Sequence, residues 1–361
     1  MDGIDYISLD VPAIPADQVN ELVAFHNSYY HTQRHSAQWI WQYQTHHAPK
    51  AVFTIARNEG RLIATQAMMP IPLRMGPVSI LSSKSENTLL LPEYRGKGIM
   101  ESLYEVAVAE CGQKEISLIW GFTEAVKAFR RFGFSVLPAA SFYRRIGRNP
   151  FVSLRHRLLK PASVKQKVAS AAGYVLSLFK NWRAAPTPHV ERLPGYRILQ
   201  HRIDPRDLDR FKARSRQLFP HLISLELDSD YMEWRIRSHP FLKYTEYQVV
   251  WNKTLKAYAF VTQFQGTASV SELGAEGEYD ATLLLARILE DYGNRCGEFS
   301  IMVNPGCPAA LGIVAALRVL GFRFSDAWNL VVRDLSNDHR SHLSDLSNWN
   351  TSALWTEGYS M

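Results

Sequence analysis

Cysteine is scarce in this 361-residue chain. Cys111, Cys296 and Cys307 are its three thiols, and no CxxC pair occurs. That excludes a disulfide framework or a structural zinc cluster and makes a reducing compartment the expectation. Twelve histidines are present, yet no HExxH and no Cys/His ligand spacing appears, so no metal is expected. The first ten residues, MDGIDYISLD, carry early acids and no apolar stretch, unlike a secretory leader. The longer runs free of charge and proline, 168–179 and 257–271, are too short to span a bilayer. The expected location is cytoplasmic, with peripheral attachment to the inner face of a membrane as a further expectation.

Acidic residues are missing from one long stretch. From Ala125 through Val190 there is no Asp or Glu, while 13 of the 41 Lys and Arg fall there. The remainder holds 28 basic residues against all 34 acids, a net of −6, so one segment supplies the whole formal charge of +7. A local basic feature is a different thing from a generally basic nucleic-acid binder, and nucleic acid is not an expected partner.

What is present is a duplication. Trp41 in AQWIWQYQTHHAP answers to Trp234 in DYMEWRIRSHP, Cys111-Gly112 to Cys296-Gly297, and Gly133-Phe134 to Gly321-Phe322. The offsets are 193, 185 and 188 residues, in the same order, which implies two copies of one α/β unit. Each copy reads as an amphipathic helix (Val19, Leu22, Val23 and Phe25 in the first), antiparallel strands, then strand, helix, strand and a last helix ending at Gly-Phe. The expected α/β architecture, with mixed α+β sheets, places a first domain at 1–150, a basic helical insertion at 151–194, a second domain at 195–340 and a tail at 341–361. Within the insertion, apolar residues recur every three or four positions from Val164 to Trp182 behind Ser163, with lysines beside them. That is the pattern of a helix lying on a membrane surface or docking on the two domains, and residues 163–183 are the expected contact.

Chemistry concentrates in NTLLLPEYRGKGIMESLYEVAVAE. A strand ending at Leu91 meets Pro92, then Arg95-Gly96-Lys97-Gly98, then a helix opening at Ile99 or Met100. Two glycines let a ligand approach the backbone, and the bare N–H groups of the helix start, with Arg95 and Lys97, suit a pyrophosphate. Neither GK[ST] nor GxGxxG is present, which excludes a Walker loop and a dinucleotide fingerprint.

With the following SLIWGF strand and the AFRRFGF helix end, this stretch resembles the GNAT superfamily of N-acetyltransferases over about Ile55 to Ile146, in a tandem-GNAT arrangement. The resemblance implies acetyl-CoA, its pyrophosphate on the amides of Arg95, Gly96, Lys97, Gly98, Ile99 and Met100 and its pantetheine along Leu89, Leu90 and Leu91. It implies transfer of the acetyl group to a primary amine of a small-molecule or glycan acceptor, an amino sugar being the first guess. Two departures stand out: Met100 replaces a Gly or Ala and makes the mouth of the loop bulkier, and Phe129 stands where the family often has a tyrosine general acid. A phenyl ring donates no proton, so reprotonation of the leaving thiolate falls to Tyr104, Tyr143 or solvent. Tyr143 is taken as the acid and Glu86, before the Asn87–Leu91 strand, as the base. Copy two has SELGAEGEYDAT at the loop, and acids at that helix start repel a pyrophosphate, so the second domain is expected to be degenerate. Two other functions fit the same arrangement: a FemABX-like transferase taking aminoacyl-tRNA, and a non-catalytic protein that binds CoA or associates with a membrane.

Overall fold

The computed structural model describes residues 3–45, 50–147, 190–336 and 340–356, with the single positions Val152 and Ala172. The basic helix expected at 163–183 lies, but for Ala172, outside the described residues.

The first copy runs β1 (Ile4–Leu9), α1 (Ala16–Tyr30), α2 (Ser36–Ile40), β2 (Val52–Asn58), β3 (Arg61–Met75), β4 (Val78–Leu90), α3 (Ile99–Gln113), β5 (Leu118–Thr123), α4 (Val126–Arg131) and β6 (Ser135–Ile146). The second runs β7 (Tyr196–Gln200), α5 (Pro205–Leu218), β8 (Ile223–Leu225), α6 (Ser229–Met232), β9 (Tyr244–Trp251), β10 (Thr254–Phe264), β11 (Thr267–Ala275), α7 (Glu278–Tyr292), β12 (Glu298–Val303), α8 (Leu311–Val319) and β13 (Arg323–Asp334). A short α9 (Arg340–Ser344) opens the tail. Both α2 and α6 run on into a π turn, at Trp41–Thr45 and Glu233–Arg237, and each turn holds one of the duplicated tryptophans.

All thirteen strands form one sheet, ordered β1-β2-β3-β4-β5-β13-β6-β12-β11-β10-β9-β7, with β8 added beside β3. The order is palindromic under exchange of the copies. At its centre the last strand of each copy has crossed over: β13 pairs with β5, and β6 pairs with β12. The two crossed strands also pair with each other, antiparallel, from Arg323 opposite Arg144 to Val332 opposite Ser135. The tandem GNAT-like halves are thus continuous through the sheet.

The three largest clusters of buried residues among the described ones follow from this layout. On one face a shared core joins α1, α2, α5 and α6 and takes in Trp120, Phe260, Trp349 and Trp355. On the other face α3 and α4 cover the first copy, and α7 and α8 cover the second, each with its own cluster. In α1, Val19, Leu22 and Val23 are buried as their spacing requires, and His26 completes the stripe. The tail crosses the shared core: Trp349 bridges to Ile223, Ser352 to Val303, and Trp355 packs edge-on against Trp120 at 4.7 Å. None of the described helices is long and apolar enough to cross a membrane.

Candidate active site

β4 and β5 are parallel neighbours only from Ser82–Leu118 to Lys84–Trp120. At Ser85 and Gly121 the backbones are still close, a Cβ on Gly121 standing 3.3 Å from the Ser85 carbonyl oxygen, but no further pair forms. The rest of β4, through Leu90, has no β5 partner. The divergence has a local cause. Asn87 and Thr88 both stand opposite Gln66 of β3, a β-bulge, and Asn87 takes a left-handed φ of 48°. Asparagine tolerates that conformation, and here the Asn87 amide donates to the Tyr43 hydroxyl while its carbonyl accepts from Thr65 at 2.8 Å. A bulged strand beside a parallel neighbour leaves a wedge-shaped fork lined on one side by unpaired β4 backbone.

The fork leads to the glycine loop. Leu89 is buried, Leu90 and Leu91 pack against the α3 core, and Pro92–Tyr94 forms a single 3-10 turn. Gly96 and Gly98 have φ of 75° and 72°, and a Cβ at either would meet nothing within 4 Å. The loop is therefore an open cradle at the N-terminus of the fifteen-residue α3. Arg95 and Lys97 stand exposed over it, Arg95 tied to the Tyr29 hydroxyl at 2.7 Å and Lys97 over the Tyr94 ring. Ile99 and Met100 turn inward and are buried. That corrects the expectation of a bulkier mouth: the first turn of α3 aims the Met100 side chain into the core, leaving the loop clear.

The opposite face of β4 is polar. Glu86 lies inside β4 rather than ahead of it, its carboxylate buried against the Lys84 ammonium and accepting from Gln42 of the π turn. Gln42 in turn accepts from Arg34, a buried side chain whose loop is pinned by paired Asn27 bonds at 2.8 Å. Burial, opposed by the carboxylate, lowers the Lys84 pKa. Burial raises that of Tyr43. Trp39 and Tyr43 are core residues here, and the duplicated Trp41 meets Trp234. Cys111 is fully buried, its thiol pushed up to about 12, which fits packing rather than nucleophilic work.

Tyr143 is not brought to this fork. The strand exchange carries β6 past β13, so Tyr143 pairs opposite Ile301 and Phe324 and packs against the core of the second copy. Phe129 is buried among Tyr104, Phe132 and Phe134. Tyr104 is the phenol that reaches the fork: its hydroxyl lies 2.6 Å from Ser85 Oγ and 3.1 Å from Thr88 Oγ1, both on β4. Of the two tyrosines weighed from the sequence as donors, Tyr104, mid-helix on α3, is the one that stands here.

The second copy has the same fork with different contents. β11 pairs with β12 from Thr267 to Val270 and then runs on to Ala275 paired with β10 only. Ser352 of the tail stands there, bridging to Val303 and donating to the buried Glu272. At the start of α7 the cap Gly277 is extended, Glu278 and Asp280 occupy the first turn, and α8 presses on the backbone. A Cβ on Gly312 would stand 2.8 Å from the Glu278 nitrogen. No open cradle exists at that helix start. Among the described residues no group of three His, Cys, Asp or Glu side chains could hold a metal ion.

The family description "Acetyltransferase (GNAT) domain" matches residues 11–137, which span the fork, the cradle and α4. The chain carries a GNAT domain. Solved structures similar to the whole chain include a GCN5-related N-acetyltransferase from Anabaena variabilis, 10% identical, with a TM-score of 0.61 over 92% of this chain and 74% of that one. A probable N-acyltransferase from Enterococcus faecalis is 10% identical, with a TM-score of 0.60 over 92% and 73%. A tandem GNAT protein from the clavulanic acid biosynthesis pathway is 13% identical, with a TM-score of 0.58 over 92% and 99%. At such identities the likeness is one of fold, and it extends the tandem GNAT architecture to both halves. No curated protein matches the sequence.

Proposed function

We propose that the chain is an N-acyltransferase that moves an acetyl group from acetyl-CoA to a primary amine, working from the first GNAT copy alone. The observation that carries this reading is the junction of an open β4–β5 fork with a glycine cradle that has room for a ligand at Gly96 and Gly98. Free amides at the α3 start, with Arg95 and Lys97, would hold a pyrophosphate. Backbone of Leu89 to Leu91 would run beside the pantetheine. Acetyl-CoA supplies the acyl group already activated as a thioester. Glu86, on the opposite face of β4, would accept the proton that the attacking amine gives up, directly or through water. Gln42 and Lys84 hold that carboxylate in place.

An amino-sugar amine is the acceptor to try first, a choice resting on resemblance. A cytoplasmic site of action, and membrane-surface contact through 163–183, belong to the same proposal. One observation favours a second reading, a GNAT-like protein that binds acyl-CoA without turnover: Phe129 cannot serve as the general acid. An aminoacyl-tRNA donor draws no support from a cradle shaped for a pyrophosphate.

Acetyl-CoA should raise the thermal midpoint of the full chain, and Gly98→Glu, which puts a charged side chain at a left-handed cap in the cradle, should abolish that rise. Thiol release with a panel of amines then separates enzyme from binder. An unchanged midpoint with the unmodified chain sinks the proposal.

A further inference from the structure

Resting on the acyl-transfer reading, we infer that Ser85 is a further catalytic residue, its hydroxyl donating to the thioester sulfur as the thiolate leaves, and that Tyr104 is the positioning residue that turns this hydroxyl toward the fork. The family's usual phenol is absent at Phe129, so some other donor must meet the charge that develops on sulfur.

Hydrogen bookkeeping points to Ser85. Thr88 Oγ1 lies 2.5 Å from Gln66 Oε1, a carbonyl oxygen that only accepts, so the single Thr88 proton is committed to Gln66. Gln66 Nε2, a donor, reaches Ser85 Oγ at 3.1 Å. The Tyr104 hydroxyl, 2.6 Å from the same Ser85 oxygen, has two ways to place its proton. Directed at Thr88, it closes a chain from Ser85 through Tyr104 and Thr88 to Gln66. Directed at Ser85, it fills the remaining Ser85 lone pair beside the Gln66 bond, and the Ser85 proton is left to point outward. Ser85 is the half-exposed end of the network, at the residue where β4 leaves β5, whereas Tyr104 is 1% exposed and held by Phe132 at 4.5 Å. Burial raises the Tyr104 pKa, so the phenol stays protonated and able to donate across the working range.

The step balances without a phenolate. The amine lone pair forms the C–N bond, the C–S bond breaks with both electrons going to sulfur, and the Ser85 O–H bond to sulfur shortens as the charge grows. The thiolate leaves and takes its proton from water, while the amine's surplus proton leaves through Glu86 to water.

The experiment compares the full-length wild type with Ser85→Ala and Tyr104→Phe. It measures acetyl-CoA affinity by calorimetry, and acyl transfer with acetyl-CoA and with the acetyl thioester of para-nitrothiophenol, whose thiolate needs little help to leave. Both variants should keep the wild-type Kd and lose kcat with acetyl-CoA by about 10- to 100-fold, the scale of one hydrogen bond to a charged group. The loss should largely vanish with the activated thioester. A deficit of equal size on both thioesters assigns these residues a merely structural part and overturns the inference, as does unchanged kcat on acetyl-CoA. No acetyl-CoA binding by the wild type would instead remove the acyl-transfer reading beneath it.

Discussion

Trp41 and Trp234, 193 residues apart in the chain, stack with ring centroids 5.1 Å apart and planes 25° apart, and the Trp234 indole donates to the Trp41 carbonyl at 3.3 Å. The duplicated landmark therefore meets its own copy where the two π turns face each other. Gln42, the residue after Trp41, is the one that holds Glu86. The second copy thereby buttresses the π turn that holds Glu86 in the first. Trp234→Ala should cost about 3–5 kcal/mol, as for a large buried aromatic, and should weaken acyl transfer more than acetyl-CoA binding. Urea unfolding and a titration with acetyl-CoA check the two parts separately.

The crossed strands make the halves interdependent. Without β13 the first copy exposes the long edge of β5, and without β6 the second exposes β12. Fragments 1–150 and 190–361 expressed alone should aggregate, and the two co-expressed should elute together as one folded species. A soluble, monomeric first fragment would show that the exchange is dispensable.

Much of this fold could be read from the chain. Tryptophan, Cys-Gly and Gly-Phe landmarks at constant offset marked the duplication, and α3 opens at Ile99, where the glycine turn placed it. The Arg95–Gly98 cradle was legible because positive φ at a helix start leaves a glycine signature. The exchange of β6 and β13 left no trace, since both strands follow a Gly-Phe turn with similar alternation and either could complete either sheet. That is why Tyr143 was expected at the fork and lies beyond it. The Ser85–Tyr104 contact joins a strand to the middle of a helix, and the Glu86–Lys84 pair is a buried charge inside a strand. Neither leaves a local pattern to find.

One acetyl-CoA should bind per chain. The first copy has an open cradle; the second has acids in the first turn of α7 and α8 packed on the Glu278 backbone. Calorimetry on the full chain should give a stoichiometry of one, and Gly98→Glu should take it to zero. A residual site in that variant would place a second cofactor in the other copy.

Lys84 and Glu86 form a buried ion pair at the fork, with side chains 6% and 8% exposed. Removing one partner strands the other charge, so Lys84→Met should destabilise the fold by about 3–5 kcal/mol. Glu86→Gln keeps the shape but removes the proposed base, and kcat should fall by about 100-fold or more, within the range of general-base catalysis. A Glu86→Gln enzyme with wild-type kcat would leave proton removal to water alone.

His26 makes stability depend on pH. It is buried on α1, and burial, with the nearby Arg34 charge, lowers its pKa from 6.5 to about 4. The folded chain keeps this imidazole neutral where the unfolded chain protonates it, so the unfolded state binds more protons between those two values. Stability should rise with pH across that window. The contribution is fully present above about 6.5 and is lost as the pH falls toward 4. Replacing the ring by the neutral amide in His26→Gln should lower the midpoint at pH 7 and flatten the slope of midpoint against pH through the window. The test is a set of thermal melts at pH steps across the window, and an unchanged slope in the variant would assign the acid sensitivity to other groups.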